Sequence, residues 1–362
     1  MRLRHALGAV AFGSILGLYR NIVSRAARLA AEPALPTPAP VTTQRIEALL
    51  FTMDAMDAYA ANAGRGGPSG EIAIRESLVA ALADLGADVR VATSDRDFER
   101  ACRPMRCDYA FLVLDAWTWA APGWKPKPML VGREDRVFLL DYFGAPGPRD
   151  GGIDVPPERI LTAFPTHPGN TFLGYALPDG PAPRPDATPH RKRRQGVIWG
   201  KEAKHYRGHE AAILAVAEVA TLHSTLPRPP SPKLRGADIV WHGHLEKTEW
   251  RRLLRESKFL LGLGDPLLGP SAVDAVAAGC AYIDPVYAAA KQGVYWSQHP
   301  FLRTSPPPYY CAAALDDPKQ FAACARNASD GADLPPFLPP ELTRAAHRRR
   351  VAAIFAPFLD AH

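Results

Sequence analysis

The residues with the most chemical content lie between Lys258 and Pro285, KFLLGLGDPLLGPSAVDAVAAGCAYIDP. Gly262, Gly264, Asp265, Pro266, Gly269 and Pro270 make a turn with little side-chain bulk, so a ligand can approach the backbone closely. Ser271–Ala278 then reads as a helix stopped by Gly279. The unpaired N–H groups and positive dipole end at its start suit an anion, and can hold a nucleoside diphosphate without a metal. Asp274, one turn in, is spaced to accept hydrogen bonds from ribose hydroxyls. Gly200 and Lys201, in the turn WGK, offer a second backbone approach and a side-chain cation. Strand, turn and helix in this order occur in many α/β proteins, so structural roles for Lys201 and Asp274 stay open.

These residues need rigid elements behind them. Phe259, Leu260, Leu261 and Leu263 suit a strand buried on both faces of a parallel sheet, and Cys280–Ile283 begins the next strand. Upstream, Ala48–Met53 reads as a strand, Gly64–Glu71 as a glycine-rich loop, Ile72–Leu85 as a helix ended by Gly86, and Asp88–Thr93 as a second strand. This is a βαβ unit and implies a parallel sheet. A short helix at Asp95–Cys102 and strands at Tyr109–Leu114 and Val137–Asp141 continue it. After the proline-rich stretch Pro178–Pro189, a second set follows: strand Val197–Trp199, helix Glu210–His223, strand Ile239–Trp241 and helix Lys247–Ser257. The last helix, Glu341–Phe358, places Arg348, Arg349 and Arg350 on an exposed face. The organisation expected is a leading segment and stem (1–40), an α/β domain (41–178), a Pro/Arg-rich linker (179–195), a second α/β domain (196–335) and a C-terminal helix (336–362).

Composition agrees. At 362 residues and 47% hydrophobic side chains, the chain can bury two cores of ordinary size. The formal charge of +6 is modest, comes largely from local arginine clusters, and is joined by no zinc-finger or helix-turn-helix pattern, so no nucleic-acid partner is expected. HRKRR at His190–Arg194 reads as a solvated linker or as a polyanion patch. At the other end, Arg2 and Arg4 precede Ala6–Tyr19, an uncharged and mostly apolar stretch, and no acid appears before Glu32. That is a targeting segment, short for a bilayer span of roughly 20 residues. A signal anchor, a cleaved signal peptide and an organellar presequence all fit. Among five cysteines, Cys102 with Cys107 and Cys311 with Cys324 can pair in an oxidising compartment, leaving Cys280 as a small buried hydrophobe. No C-x-x-C pair or His/Asp cluster calls for a metal, and none is expected.

Segments spread across residues 46 to 330 resemble one known family. In order they are GRGGPSGE at Gly64–Glu71, LLDYFG at Leu139–Gly144, ILTAFPTHPGNTFLGYAL at Ile160–Leu177, VIWGKEAKHY at Val197–Tyr206, WHGHLEKTEWRRLLRESKFLLGLG at Trp241–Gly264 and SQHPF at Ser297–Phe301. With the run after Lys258, they are similar to the α-1,6-mannosylglycoprotein 6-β-N-acetylglucosaminyltransferases, glycosyltransferase family 18. The resemblance implies a GT-B-like α/β fold, two Rossmann-like parallel-sheet domains facing across a cleft. It implies an inverting, metal-independent transfer of N-acetylglucosamine from UDP-N-acetylglucosamine, a co-substrate, to a mannose-containing N-glycan or glycoprotein with a β-1,6 linkage. It also implies a single-pass type II Golgi membrane protein with Pro33–Pro40 in its stem. The donor would lie against Gly200, Lys201, Gly264, Asp265, Pro266, Gly269, Pro270, Ser271 and Asp274, and Gly66, Gly67, Ser69 and Glu71 would face the acceptor.

The chain departs from the family pattern twice. Relatives carry a glutamate, the catalytic base, shortly after the glycine of LDxFG, where this chain has Ala145, Pro146 and Gly147. Asp150 is the substitute base nearest in sequence; Glu71 and Asp141 are less direct, and Asp141 is better placed to cap its strand end. After Asp284 the relatives have a longer segment with a donor-contacting lysine, leaving Lys291 as its stand-in. Two alternatives follow: a member of the same fold that binds nucleotide sugar or glycan without turnover, and a Rossmann-type nucleotide-sugar enzyme such as an epimerase. The latter calls for a G-x-G-x-x-G that Gly64–Gly70 lacks. Trp117, Trp119 and Trp124 could stack on a sugar or pack in the core. His167 and Asn170 suit loop roles.

Overall fold

The computed structural model describes residues 46–51, 69–102, 107, 109–120, 127–130, 132–144, 155–165, 167–177 and 191–359. The leading segment 1–40, Gly66, Gly67, Trp124, Asp150 and the proline-rich stretch Pro178–Pro189 fall outside these.

Two sheets organise the chain. The first contains β1 (Ile46–Phe51), β2 (Ala87–Ala92), β3 (Phe111–Asp115), β4 (Val137–Leu140), β5 (Ile160–Thr162) and β6 (Thr171–Phe172), in the order β2-β1-β3-β4-β5-β6, all parallel. Between its strands run α1 (Ser69–Asp84), α2 (Asp95–Ala101) and α3 (Ala116–Ala120). The second contains β7 (Gln195–Ile198), β8 (Thr221–Ser224), β9 (Ile239–Trp241), β10 (Phe259–Leu261), β11 (Ala281–Lys291), β12 (Tyr295–Ser297) and β13 (Tyr310–Ala314). Its order is β12-β11-β10-β7-β8-β9, with β13 on β11 and only β11–β12 antiparallel. Its helices are α4 (Glu210–Ala217), α5 (Lys247–Glu256), α6 (Pro270–Ala277) and α7 (Pro318–Asp330), and the last helix is α8 (Arg344–Leu359). Leu260 and Leu261 of β10 are fully buried between neighbours on both sides, as a short apolar run requires.

Three expectations need correction. The helix from Glu210 ends at Ala217, and Thr221–Ser224 is the strand β8. Apolar spacing continues through Val219 and Leu222 with no Gly or Pro to mark the break, while the alternate burial of Leu222 and Ser224 is that of a strand. Lys192 belongs to no solvated linker: it is 8% exposed. Its ammonium donates to the carbonyls of Leu254 (3.3 Å), Arg255 (3.2 Å), Ser257 (2.8 Å) and Ala278 (2.9 Å), which lie at the ends of α5 and α6. Helix ends leave carbonyls unpaired and carry partial negative charge, which is what this cation meets.

Arg350, third, does not join Arg348 on an exposed face. It donates to Leu173 O at 2.8 Å and Glu341 O at 2.6 Å and lies over the Phe172 ring, and burial brings it down to about 10. It is held because α8 returns to the first sheet, where Phe355 stacks on Phe111 at 4.3 Å and Arg344 pairs with Asp84 at 2.9 Å. Of the two readings for Trp119 the core one holds: it is fully buried in the first-sheet core and offers no stacking surface. The cysteine pairs form as expected, Cys102 with Cys107 and Cys311 with Cys324, and Cys280 is free and buried. No helix of the described residues is long and apolar enough to cross a membrane.

Candidate functional site

In an open parallel sheet, ligands bind beyond the carboxyl ends of the strands where strand order reverses. The second sheet reverses between β7 and β10, because β8 and β9 extend one way from β7 and β10 and β11 the other. Gly200 and Lys201 follow β7, and Gly264 and Asp265 follow β10. Strand order thus brings together residues over sixty positions apart that the sequence marked as one site. The Gly200 carbonyl accepts from Tyr206 Oη at 3.0 Å, and Tyr206 Oη also bonds Ser224 Oγ at 2.7 Å. Lys201 is exposed and forms no ion pair among the described residues.

Lys291 reaches this place from β11. Its ammonium donates to Gly264 O and to Asp265 Oδ2, both at 2.9 Å, and lies 4.5 Å from the centre of the Tyr287 ring. Tyr287 Oη also donates to Gly264 O, at 2.6 Å. Two histidines that sequence reasoning missed complete the cluster. Burial holds His205 below its ordinary value; Glu202 opposes this, and Asp265 lies within electrostatic reach. His209, just before α4, is lowered by burial and then by Lys291, which lies within electrostatic reach. Only the meeting of β7 and β10 brings these residues to Asp265, so their spacing along the chain carries no signal.

The start of α6 is less open than its glycines suggest. A Cβ on Gly269 would stand 2.6 Å from Trp199 Cζ2, so this glycine makes room for an indole of the protein itself. Tyr142 Oη, from the segment after β4, donates to Leu268 O at 2.9 Å. Gly70 at the start of α1 is pressed between the Tyr142 ring and Pro270. The Ser271 and Ala272 amides have no partner among the described residues, yet Ala272 is fully buried and Ser271 half-buried. The approach to this bend is therefore narrower than its glycines suggest, with Trp199 packed at Gly269 and the Tyr142 hydroxyl held at Leu268 O.

The same contacts show how the two sheets meet. Segments that follow β1 and β4 touch the segment that follows β10, and Tyr295 of β12 donates its hydroxyl to Phe143 O. Carboxyl edges of both sheets therefore converge. One apolar cluster crosses the junction, with Ile74, Tyr142, Phe164 and Tyr175 on one side and Trp199, Leu268, Val273 and Tyr282 on the other. His299 is sealed within it, its centroid 4.8 Å from that of Phe164, and burial pushes its imidazole down to about 3.

Asp274 lies half-buried at this junction, one turn into α6. Burial raises it to about 6, while Arg251 and Lys247 of α5 pull the other way. Glu71, in the first turn of α1, and Asp274 are both within electrostatic reach of Tyr142, whose hydroxyl burial pushes far up. Ser69 opens α1 beside them. Asp141 caps its strand end, as expected, accepting from the amides of Phe143 (3.1 Å) and Gly144 (3.0 Å). Asn170 likewise serves its loop, donating to Pro157 O at 3.1 Å. Pro266 O accepts from Gln298 Nε2 at 2.9 Å. No group of three His, Cys, Asp or Glu among the described residues is arranged to hold a metal ion.

Residues 148–356, more than half of the chain, match the model of glycosyltransferase family 18. The chain belongs to that family. Its relatives include the α-1,6-mannosylglycoprotein 6-β-N-acetylglucosaminyltransferase B of Mus musculus, 23% identical over 348 residues, covering 84% of this chain and 43% of the relative. The A form of Cricetulus griseus is 24% identical over 292 residues, covering 72% and 39%. The enzyme of Caenorhabditis elegans is 24% identical over 290 residues, covering 67% and 42%. This family-18 chain thus spans about two-fifths of the length of the curated relatives it matches. Similar solved structures include the glycosyltransferase of kitacinnamycin, 12% identical with a TM-score of 0.44, covering 86% of this chain and 96% of that one. Another is Arabidopsis thaliana UGT89C1, 10% identical with a TM-score of 0.46, covering 87% and 100%. At these scores the likenesses add nothing to what the strand orders of the family-18 chain already show.

Proposed function

We propose that this protein transfers N-acetylglucosamine from UDP-N-acetylglucosamine to a mannose-containing N-glycan, with inversion, in a β-1,6 linkage. The observation that carries the reading is the meeting of Gly200–Lys201 with Gly264–Asp265 at the switch point of the second sheet, inside the family match. Lys201 and Lys291 supply positive charge to a leaving diphosphate, the electrostatic task at the centre of such a transfer. Lys291 must first exchange Asp265 for phosphate. Asp274 takes the ribose, and residues at the start of α1 face the acceptor. The chemistry calls for no divalent metal. The leading segment anchors the protein in the Golgi membrane as a type II protein.

The attacking hydroxyl needs a base. Asp150, the substitute suggested by sequence, lies outside the described residues, and Asp141 is occupied with two amides. Glu71 is the weighed acid that the structure brings to the junction. The sequence Ala145–Gly147 where relatives carry their glutamate favours a second reading, binding without turnover.

One experiment separates the readings: incubate the full chain with UDP-N-acetylglucosamine and a mannose-terminated glycan in excess EDTA, and measure UDP release and product. Transfer that Glu71→Gln or Asp150→Asn removes supports catalysis and identifies the base. UDP binding without release supports the second reading, and no UDP binding refutes both.

A further inference from the structure

The loop between β10 and α6 is gripped by one side chain that no role above uses. Gln298, fully buried just after β12, accepts from Gly264 N through Oε1 at 2.9 Å and donates from Nε2 to Pro266 O at 2.9 Å. Its own carbonyl accepts from Leu268 N at 3.0 Å. Three alternate residues of the loop are thus tied to one residue. The amide is itself held from behind: Gln298 N donates to Pro285 O at 3.0 Å, and the following amide, of His299, donates to Asp284 at 3.0 Å. Gly262 leaves it space, because a Cβ there would stand 2.3 Å from Gln298 Oε1.

The chemistry of the grip is specific. The loop presents an N–H at Gly264 and a carbonyl at Pro266, so the clamp must accept and donate side by side. A side-chain amide does both, a carboxylate only accepts, and an aliphatic chain does neither. Gly264 and Asp265 are also the groups that Lys291 bonds. The clamp therefore fixes where Asp265 and the Lys291 ammonium stand relative to Lys201 and the end of β7.

We propose that Gln298 is a positioning residue for the nucleotide-sugar site, holding the 264–268 loop in its binding shape without touching the ligand. This rests on the function proposed above. Gln298→Glu keeps the shape but loses the donor when ionised and regains it when protonated; Gln298→Leu loses both halves of the clamp. UDP affinity, measured by calorimetry from pH 5 to pH 8, falls at least tenfold in Gln298→Glu at pH 8 and recovers toward the wild-type value at pH 5, each point compared with wild type at the same pH. In turnover, KM for UDP-N-acetylglucosamine rises while KM for the glycan stays within about twofold.

Amide hydrogen exchange without ligand supplies a readout independent of the donor assignment. Gly264 exchanges at least tenfold faster in Gln298→Leu, or in Gln298→Met should the leucine variant not fold, because both remove the acceptor of its amide, with β7 and β10 protected as before. Unchanged exchange at the Gly264 amide overturns the clamp, whether or not UDP binds. Accelerated exchange with wild-type UDP affinity at every pH overturns its positioning role. Failure of the wild type to bind UDP refutes the proposed function and leaves the clamp to be judged by exchange alone.

Discussion

Asp284 is a fully buried carboxylate on β11 whose hydrogen-bond partners carry no positive charge. Oδ1 accepts from Tyr282 Oη at 3.1 Å and the His299 amide at 3.0 Å, and Oδ2 accepts from Tyr310 Oη at 2.9 Å. Burial raises its pKa from 3.8 to about 6, although these bonds pull it down. The folded protein therefore keeps this proton up to about pH 6, while the unfolded chain releases it near 3.8. Between those values the folded state binds more protons, so stability falls as pH rises through the window. A gap of about two pH units, at about 1.4 kcal/mol each, makes the ionised side chain cost about 3 kcal/mol above pH 6. Asp284→Asn keeps the shape and cannot ionise. Urea unfolding should then show the variant gaining up to about 3 kcal/mol on wild type between pH 4 and pH 8. Asp274, also raised to about 6, is common to both proteins and cancels from the comparison. A stability difference that does not change between pH 4 and pH 8 would refute the reasoning, because the tyrosine and amide bonds would then have fully offset burial.

Three further outcomes follow from geometry. Gly196→Ala on β7 places a methyl group 2.1 Å from Phe259 Cε2, a fully buried ring on the adjoining strand, and should cost about 1–3 kcal/mol in chemical denaturation. Lys192→Met keeps the buried hydrocarbon and strips a donor from four carbonyls at two helix ends, costing about 3 kcal/mol by the same measurement. Lys201→Ala, at an exposed position without an ion pair among the described residues, should weaken UDP binding about tenfold in calorimetry, the worth of about 1.4 kcal/mol, and leave the unfolding midpoint unchanged.

Much of the second sheet was legible because its elements have clear ends. β10 is an apolar run between Lys258 and Gly262, α6 opens at Pro270 and closes at Gly279 in a positive-φ conformation, and α5 carries acids at its start and an arginine in its last turn. These signals are local, so the residues after β7 and β10 could be marked as a site before the strands were known to be neighbours. β8 was not legible. Four residues without Gly or Pro before them continue the apolar spacing of α4, and only pairing to β7 and β9 makes them a strand. β12 and β13, three and five residues long, owe their conformation to β11 between them.

The candidate site was legible in its residues and not in its exposure. Gly269 marks a close approach, and a close approach was the correct inference; what approaches is Trp199, from the neighbouring strand end. A missing side chain records that something comes near without saying whether it is a ligand or the protein's own ring. The same ambiguity hid Lys192 and Arg350. Each sits in a run of basic residues that reads as solvated, and Lys192 is buried and Arg350 half-buried because segments distant in sequence bring carbonyls to their charges. Composition predicts where charge can be tolerated, but which cation is drawn inside depends on which helix ends and carbonyls the fold leaves unpaired. At the start of α6 the reverse holds: the amides of Ser271 and Ala272 are unpaired donors among the described residues, and at the bend just before them stand Tyr142 from the first sheet, on Leu268 O, and Trp199 from the second, against Gly269. A diphosphate on those amides lies next to groups contributed by both sheets, so donor binding and the contact between the two halves of the molecule are coupled at Leu268–Pro270.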